Sequence, residues 1–267
     1  MAVPLASVEV DGRTIAYRRV GSGTPLVCLH GFLCDSRVWR PQLVELADEF
    51  DLVAWDAPGA GASSDPPASF ALADWAICCA GLLDALRLEP AHIVGLSWGG
   101  LLAQELFRLA PERVRSLVLA DTYAGWKGSF DENVAQQRLA RCERESTLPA
   151  DEFVRAWVPA EFFTTAVASE VVEEMAAVVR DFHPHGFRLM ARSLAAADTT
   201  DLLPRINVPT LLLWGNADGR SPLHVAEAFE TAIPRAKLQV IASAGHVSNM
   251  ERPDEFSASV RAFARSN

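Results

Sequence analysis

In His92-Ile93-Val94-Gly95-Leu96-Ser97-Trp98-Gly99-Gly100-Leu101-Leu102, a short apolar run meets G-x-S-x-G and then a helix-forming segment that continues to Leu106. Strand, G-x-S-x-G, helix is the setting of a nucleophile elbow. So sharp a turn forces the serine into a strained backbone conformation. Gly95 and Gly99 flank it because a Cβ at either place would collide with the neighbouring strand or helix. Ser97 is then pushed out above the sheet. The helix start behind it presents the N–H of Trp98 where negative charge would develop.

A hydroxyl at its ordinary pKa is a poor nucleophile, so Ser97 needs a base, and the base needs an orienting acid. Of six histidines, His246 has the best setting. It stands in Ala244-Gly245-His246-Val247-Ser248-Asn249-Met250-Glu251, just after the strand-like Leu238-Gln239-Val240-Ile241. The acid is expected at a neighbouring strand end. Thr210-Leu211-Leu212-Leu213-Trp214 reads as a buried strand, and Gly215-Asn216-Ala217-Asp218 follows at once, which makes Asp218 the acid. Asp121 competes, because Val118-Leu119-Ala120-Asp121 also ends a strand. An aspartate there is commonly a turn former or cap, and Asp121 reads as an anchor for the loop leaving the sheet. A second oxyanion donor belongs on an early strand-end loop. Pro25-Leu26-Val27-Cys28-Leu29 leads into His30-Gly31-Phe32, so the N–H of Phe32 joins that of Trp98. His30 reads as a structural residue of that loop rather than a catalyst.

With Ser97, Asp218 and His246 in this order, the chain resembles the α/β-hydrolase fold superfamily over nearly its full length. His30-Gly31-Phe32 and Asp56-Ala57-Pro58-Gly59-Ala60-Gly61-Ala62-Ser63 stand in family order with the triad. The resemblance implies an α/β fold with a mostly parallel eight-stranded sheet flanked by helices, and a helical cap. The ending Gly245 to Glu251 is similar to that of 3-oxoadipate enol-lactonases and related small esterases. Haloalkane dehalogenases and epoxide hydrolases of the superfamily carry aspartate at the elbow, and dienelactone hydrolases cysteine. Ser97 argues against all three. Trp98 is bulkier than the residue most relatives carry after the serine, and Trp55 precedes Asp56 where aliphatic or tyrosine side chains are common. Each either narrows the pocket or fills the core.

The rest of the chain agrees. Val8-Glu9-Val10 and Thr14-Ile15-Ala16-Tyr17-Arg18 read as a hairpin around Asp11-Gly12. Strands near Leu26, Leu52, Ile93, Val118, Leu212 and Val240 alternate with helices, the pattern of a parallel sheet buried on both faces. The core is expected over 1–121 and 207–267. Over 122–206 the pattern is helical and charged, as in Asp131 to Glu145 and Ser169 to Asp181, with breaks at Pro149, Pro159 and Pro184. This insert is expected to sit over Ser97 as a cap that excludes water and selects substrate. Its large side chains Trp126, Phe130, Trp157, Phe162, Phe163, Phe187 and Met190 are the pocket candidates, with Met175 and Phe182 beside them. Most of these hold the cap together, and a few line an apolar pocket. His183-Pro184-His185 next to Asp181 lacks a recognised metal spacing and reads as a helix boundary.

Composition sets bounds. The chain has 267 residues, half of them hydrophobic, and a formal net charge of -10. That length suits one α/β domain with an insertion. The acidic balance disfavours nucleic acid or an anionic membrane as partner. No run reaches the ~18 apolar residues of a membrane span. Met1-Ala2-Val3-Pro4-Leu5-Ala6-Ser7 lacks the basic head and long apolar stretch of a signal peptide. Five cysteines, at 28, 34, 78, 79 and 142, show no metal spacing and read as reduced thiols in a cytoplasm. Cys34 reads as a buried, inert thiol.

The expectation is a cytoplasmic serine hydrolase that cleaves a small, largely apolar ester or lactone, with no cofactor and no metal. Two other readings stay open on the same residues. One is carbon–carbon bond hydrolysis or cofactor-free perhydrolysis on the same triad; the other is a ligand-sensing, receptor-like protein that hydrolyses slowly. The sequence sets no oligomeric state.

Overall fold

The structure is a computed structural model that describes residues 3–164 and 167–267. Met1 and Ala2, at the head of the stretch read for a leader, lie outside the described residues. The strands are β1 (Leu5–Val10), β2 (Arg13–Gly21), β3 (Thr24–Leu29), β4 (Phe50–Trp55), β5 (Ala91–Leu96), β6 (Val114–Ala120), β7 (Thr210–Gly215) and β8 (Ala236–Ile241). They form one eight-stranded sheet in the order β1-β2-β4-β3-β5-β6-β7-β8. The β1–β2 hairpin turns at Asp11 and Gly12, both in the left-handed region with φ 49° and 75°. Asp-Gly is the pair that such a turn selects. β2 runs antiparallel to β1 and β4, and the remaining neighbours are parallel.

Every residue of β4, β5 and β7 is buried, because helices cover both faces of the sheet and leave these strands no wet side. The edge strands β1 and β8 mix buried with half-buried and exposed residues. The helices are α1 (Arg40–Glu45), α2 (Leu72–Ala85), α3 (Trp98–Leu109), α4 (Trp126–Ser129), α5 (Glu132–Glu145), α6 (Ala150–Phe162), α7 (Ser169–Arg180), α8 (Pro184–Ala196), α9 (Leu223–Ala232), α10 (Ser248–Glu251) and α11 (Pro253–Arg265). α2 and α3 pack on each other, α3 against β5 and β6, α9 against β7 and β8, and α1 against α11.

Helices α4 to α8 all fall between β6 and β7, with no strand among the described residues there. Asp131 caps α5, its carboxylate accepting from the N–H of Val134 at 3.0 Å. Position 159 departs from expectation: the break predicted at Pro159 is absent, and α6 runs through it to Phe162. A proline inside a helix costs about 3 kcal/mol. Burying Phe153, Trp157 and Phe162 along the same helix outweighs that, at roughly 1.5–3 kcal/mol for each large side chain. All five cysteines are buried and unpaired. No helix of the described residues is long and apolar enough to cross a membrane.

Candidate active site

The parallel strands end on one side of the sheet, and their end loops carry His30 after β3, Asp56 after β4, Ser97 after β5, Asp121 after β6, Asp218 after β7 and His246 after β8. Crevices of this kind at strand ends are where open α/β sheets place their ligands. Ser97 is held at φ 54°, ψ −117°, a strained conformation for a residue with a Cβ. Its own N–H donates to Ala120 at 2.8 Å, and its carbonyl accepts from Thr122 Oγ1 at 2.5 Å, so both neighbours of the elbow hold the strain in place. A Cβ on Gly95 would stand 2.4 Å from the Gly99 carbonyl oxygen, and one on Gly99 would stand 2.1 Å from that of Leu29. Neither position has room for a side chain.

His246 Nε2 lies 2.8 Å from Ser97 Oγ, and its Nδ1 lies 2.8 Å from Asp218 Oδ2. With Nδ1–H donating to the carboxylate, Nε2 is left to accept from the serine hydroxyl. The other oxygen of Asp218, Oδ1, accepts from the N–H groups of Arg220 at 2.8 Å and Ser221 at 2.9 Å. Burial pushes the His246 imidazole below its ordinary pKa. Asp218 pulls it back up, and the charges of Arg220 and Arg138 push it down again. Asp121 has different partners. It is fully buried, and its carboxyl accepts from the N–H of Gly215 at 2.8 Å and from Ser248 Oγ at 2.5 Å. Burial and the nearby charge of Asp218 raise its pKa well above the usual carboxylate range. Asp121 thus ties the ends of β6 and β7 to α10, and Asp218 is the carboxylate that meets the histidine.

The loop after β3 lies against the serine. A Cβ on Gly31 would stand 3.3 Å from Ser97 Cβ and 3.9 Å from Ser97 Oγ. Neither the N–H of Phe32 nor that of Trp98 donates to a protein acceptor among the described residues. His30 is fully buried and bonded at both nitrogens: Nδ1 donates to the Gly31 carbonyl at 2.7 Å, and Nε2 accepts from the N–H of Ala57 at 3.0 Å. It fixes this loop against the turn at Asp56–Ser63. Trp98 is buried against Trp75, and its indole N–H donates to Ser193 Oγ of α8 at 3.0 Å. Trp55 is buried in the core, and so is Cys34.

Among the pocket candidates, Trp126, Trp157, Phe162, Phe187 and Met190 are buried, whereas Phe130 and Phe163 are only partly so. The ring of Phe32 gathers three of them: it stacks on Phe187 at 5.3 Å and meets Trp157 and Trp126 edge-on at 6.0 and 6.4 Å. Phe162 lends its carbonyl to the N–H of Val247, next to His246. Met190 borders a small crevice beside Leu33 and Cys34. His183 faces Asp65, His185 faces the Pro66 carbonyl, and Asp181 pairs with Arg37, so this trio does not converge.

The aromatic reading of the insert missed a polar group. A cavity of about 190 Å³ is lined by Trp126, Arg138, Arg141, Cys142, Trp157, Glu161, Gly219 and Arg220. Arg138, Arg141 and Cys142 recur at i, i+3 and i+4, which puts them on one face of α5. That spacing was the available signal, and on a charged helix it looks the same as a solvated stripe.

Residues 26–259 match the model of a family described as the alpha/beta hydrolase family. The chain belongs to that family and is a hydrolase by fold. It is 29% identical over 230 residues to 3-oxoadipate enol-lactonase 2 of Acinetobacter baylyi, covering 85% of this chain and 84% of that one. It is 31% identical over 253 residues to the dihydrolipoyllysine-residue acetyltransferase component of the acetoin cleaving system of Cupriavidus necator. That match takes in 94% of this chain and 66% of the relative's length. A solved thermophilic esterase from Thermogutta terrifontis superposes with a TM-score of 0.89 at 28% identity, covering 98% of both chains.

Proposed function

We propose that this protein is a serine hydrolase that cleaves a small carboxylic ester or lactone, largely apolar in its body, through an acyl-enzyme. The observation that carries this reading is the unbroken hydrogen-bonded line from Ser97 Oγ through His246 to Asp218. His246 takes the hydroxyl proton at Nε2 as Ser97 attacks the carbonyl. Asp218 holds the ring in the required tautomer and stabilises its charged form. The N–H groups of Phe32 and Trp98 receive the oxyanion. His246 then passes its proton to the leaving group, activates a water in the same way, and frees the acid. No cofactor enters these steps.

Residues 122–206 act as the cap in this reading, and 1–121 with 207–267 as the catalytic core. The Phe32–Trp157–Phe187 cluster supports this, since it joins the insert to the oxyanion loop. Five unpaired cysteines favour a cytoplasmic location. The esterase and enol-lactonase relatives favour ester bonds over carbon–carbon bonds.

The test is a burst assay with p-nitrophenyl acetate, butyrate and octanoate on wild type and Ser97→Ala, with fluorophosphonate labelling alongside. Turnover lost in the variant, with Ser97 labelled in the wild type, is the expected result. No turnover together with no labelling sinks the reading and favours the sensing role. Labelling without ester turnover moves the search to enol-lactones and dicarbonyl substrates.

A further inference from the structure

The cavity between α5, α6 and the loop after Asp218 has a densely charged lining. Three guanidinium groups, Arg138, Arg141 and Arg220, face it together with the carboxylate of Glu161 and the indoles of Trp126 and Trp157. Glu161 accepts from both Arg141 and Arg220. Arg141 also donates to Glu145 at 3.0 Å. Arg141 and Arg220 thus each meet a carboxylate, whereas Arg138 meets none among the described residues. The carboxylate of Asp218, which accepts from His246 and from the N–H groups of Arg220 and Ser221, also acts on Arg220 through its charge.

Arg138 stands apart from the other two. Its Nη2 donates to the carbonyl of Arg220 at 2.9 Å, while its Nη1 is buried with no acceptor among the described residues. Arg138 is held flat by aromatic faces, its guanidinium carbon 4.2 Å from the Phe130 ring centre and 5.8 Å from that of Trp126. Arg220 is 9% exposed, and its Nε likewise has no acceptor among the described residues. Its guanidinium lies 5.1 Å over the ring of Phe32, the proposed oxyanion donor. Two buried donors of one sign, immobilised on aromatic surfaces, form a receptor for a planar anion.

The site is also joined to the triad. Arg220 bonds Asp218 through its own N–H, and Tyr123, beneath Arg138, lies 6.0 Å from the His246 ring. A space of about 190 Å³ holds an end group and a few methylenes rather than a second large ring system.

We propose that this cavity is a carboxylate subsite: the substrate is an ester or lactone bearing one carboxylate a few atoms from the scissile bond, gripped by Arg138 and Arg220. One carboxylate would give Arg138 the carboxylate partner it lacks among the described residues. This proposal rests on the hydrolase reading for its geometry, so its test separates the two.

Monomethyl glutarate and 4-acetoxybutanoate carry the carboxylate on the acyl and alcohol sides respectively. Each is compared with its neutral carboxamide counterpart in wild type, Arg138→Gln and Arg138→Lys. For at least one pair, kcat/KM in the wild type is expected to favour the anion by tenfold or more. That ratio should collapse toward one in Arg138→Gln and be partly kept in Arg138→Lys. A wild-type ratio at or below one for both pairs overturns the subsite, and so does a preference that survives Arg138→Gln. If no ester turns over and fluorophosphonate leaves Ser97 unlabelled, the hydrolase reading has failed; whenever no ester turns over, calorimetry with glutarate on Ser97→Ala decides the subsite alone. Binding that disappears in Ser97→Ala/Arg138→Gln supports it, and no binding to Ser97→Ala overturns it.

Discussion

Asp121 and Asp218, at the ends of the neighbouring parallel strands β6 and β7, are bridged by Gly215: its N–H donates to the Asp121 carboxyl at 2.8 Å, and its carbonyl accepts from the N–H of Asp218 at 3.2 Å. Two carboxyl groups thus share one corner of the sheet with different partners. Asp121 is pushed toward its neutral form by burial and by its neighbour's charge. Asp218 has two backbone donors and the imidazole to compensate it.

Substitutions at this corner separate the two roles. Asp218→Asn is expected to lower kcat by about 10³–10⁴, because the amide no longer fixes the histidine tautomer. Ser97→Ala and His246→Ala are expected to cost roughly 10⁴–10⁶. Asp121→Asn alters a carboxyl that bonds Gly215 and Ser248 and does not bond His246, and the expected change is less than about tenfold. Steady-state kinetics on the four variants checks this. A dead Asp121→Asn beside an active Asp218→Asn would reassign the acid.

The pH profile follows from His246. The ring must be neutral at Nε2 to accept the Ser97 proton, so kcat/KM rises with pH as the imidazole loses its proton. Burial lowers the folded pKa below the ordinary 6.5. The rising limb is therefore expected below that value, with the plateau reached by neutral pH. A midpoint above 6.5 would contradict the environment described for the ring.

Stability carries a second pH signature at a different histidine. His92 on β5 is buried beside Ser116, and its pKa is lowered from 6.5 to about 4, first by burial and then by Arg115. The unfolded chain takes up this proton first, so stability is full above 6.5, falls as pH drops below it, and levels off below about 4. The loss assigned to His92 is about 2 kcal/mol after allowance for solvent screening. His92→Gln should flatten the urea midpoint across that window, while an unchanged slope would place the acid sensitivity elsewhere.

Gly31 probes the proposed oxyanion loop, where the donors are backbone groups and escape side-chain deletion. A methyl group there would press on Ser97 Cβ from 3.3 Å, a distance relieved by moving the loop a few tenths of an ångström. Gly31→Ala is expected to fold and to lose about tenfold to a hundredfold in kcat, since donors shifted by a fraction of an ångström lose alignment with the oxyanion. Circular dichroism with single-turnover kinetics distinguishes this from unfolding.

What could be read in the sequence, and what could not, follows from local chemistry. Ser97, Asp218 and His246 each stand directly after an apolar strand, so their position was written in neighbours a few residues away. The sheet was legible for the same reason, down to the Asp11-Gly12 turn. Arg138 and Arg220 were not, because their partnership spans 82 positions and exists only once α5 meets the loop after β7. The aromatic side chains of the insert were found by size. The charges threaded among them looked like the outer face of a solvated helix. Pro159 misled in the opposite direction, since a local rule gave way to burial along the rest of α6.

Trp98 and Ser193 join the helix that begins at the elbow to the last helix of the insert. A segment replacing residues 122–206 with the corresponding part of a relative must therefore bring an acceptor to the place of Ser193. Without one, a buried indole N–H loses its partner at a cost of about 1–3 kcal/mol, one residue away from the proposed nucleophile. In this protein the segment 122–206 and the elbow are exchangeable only as a matched pair.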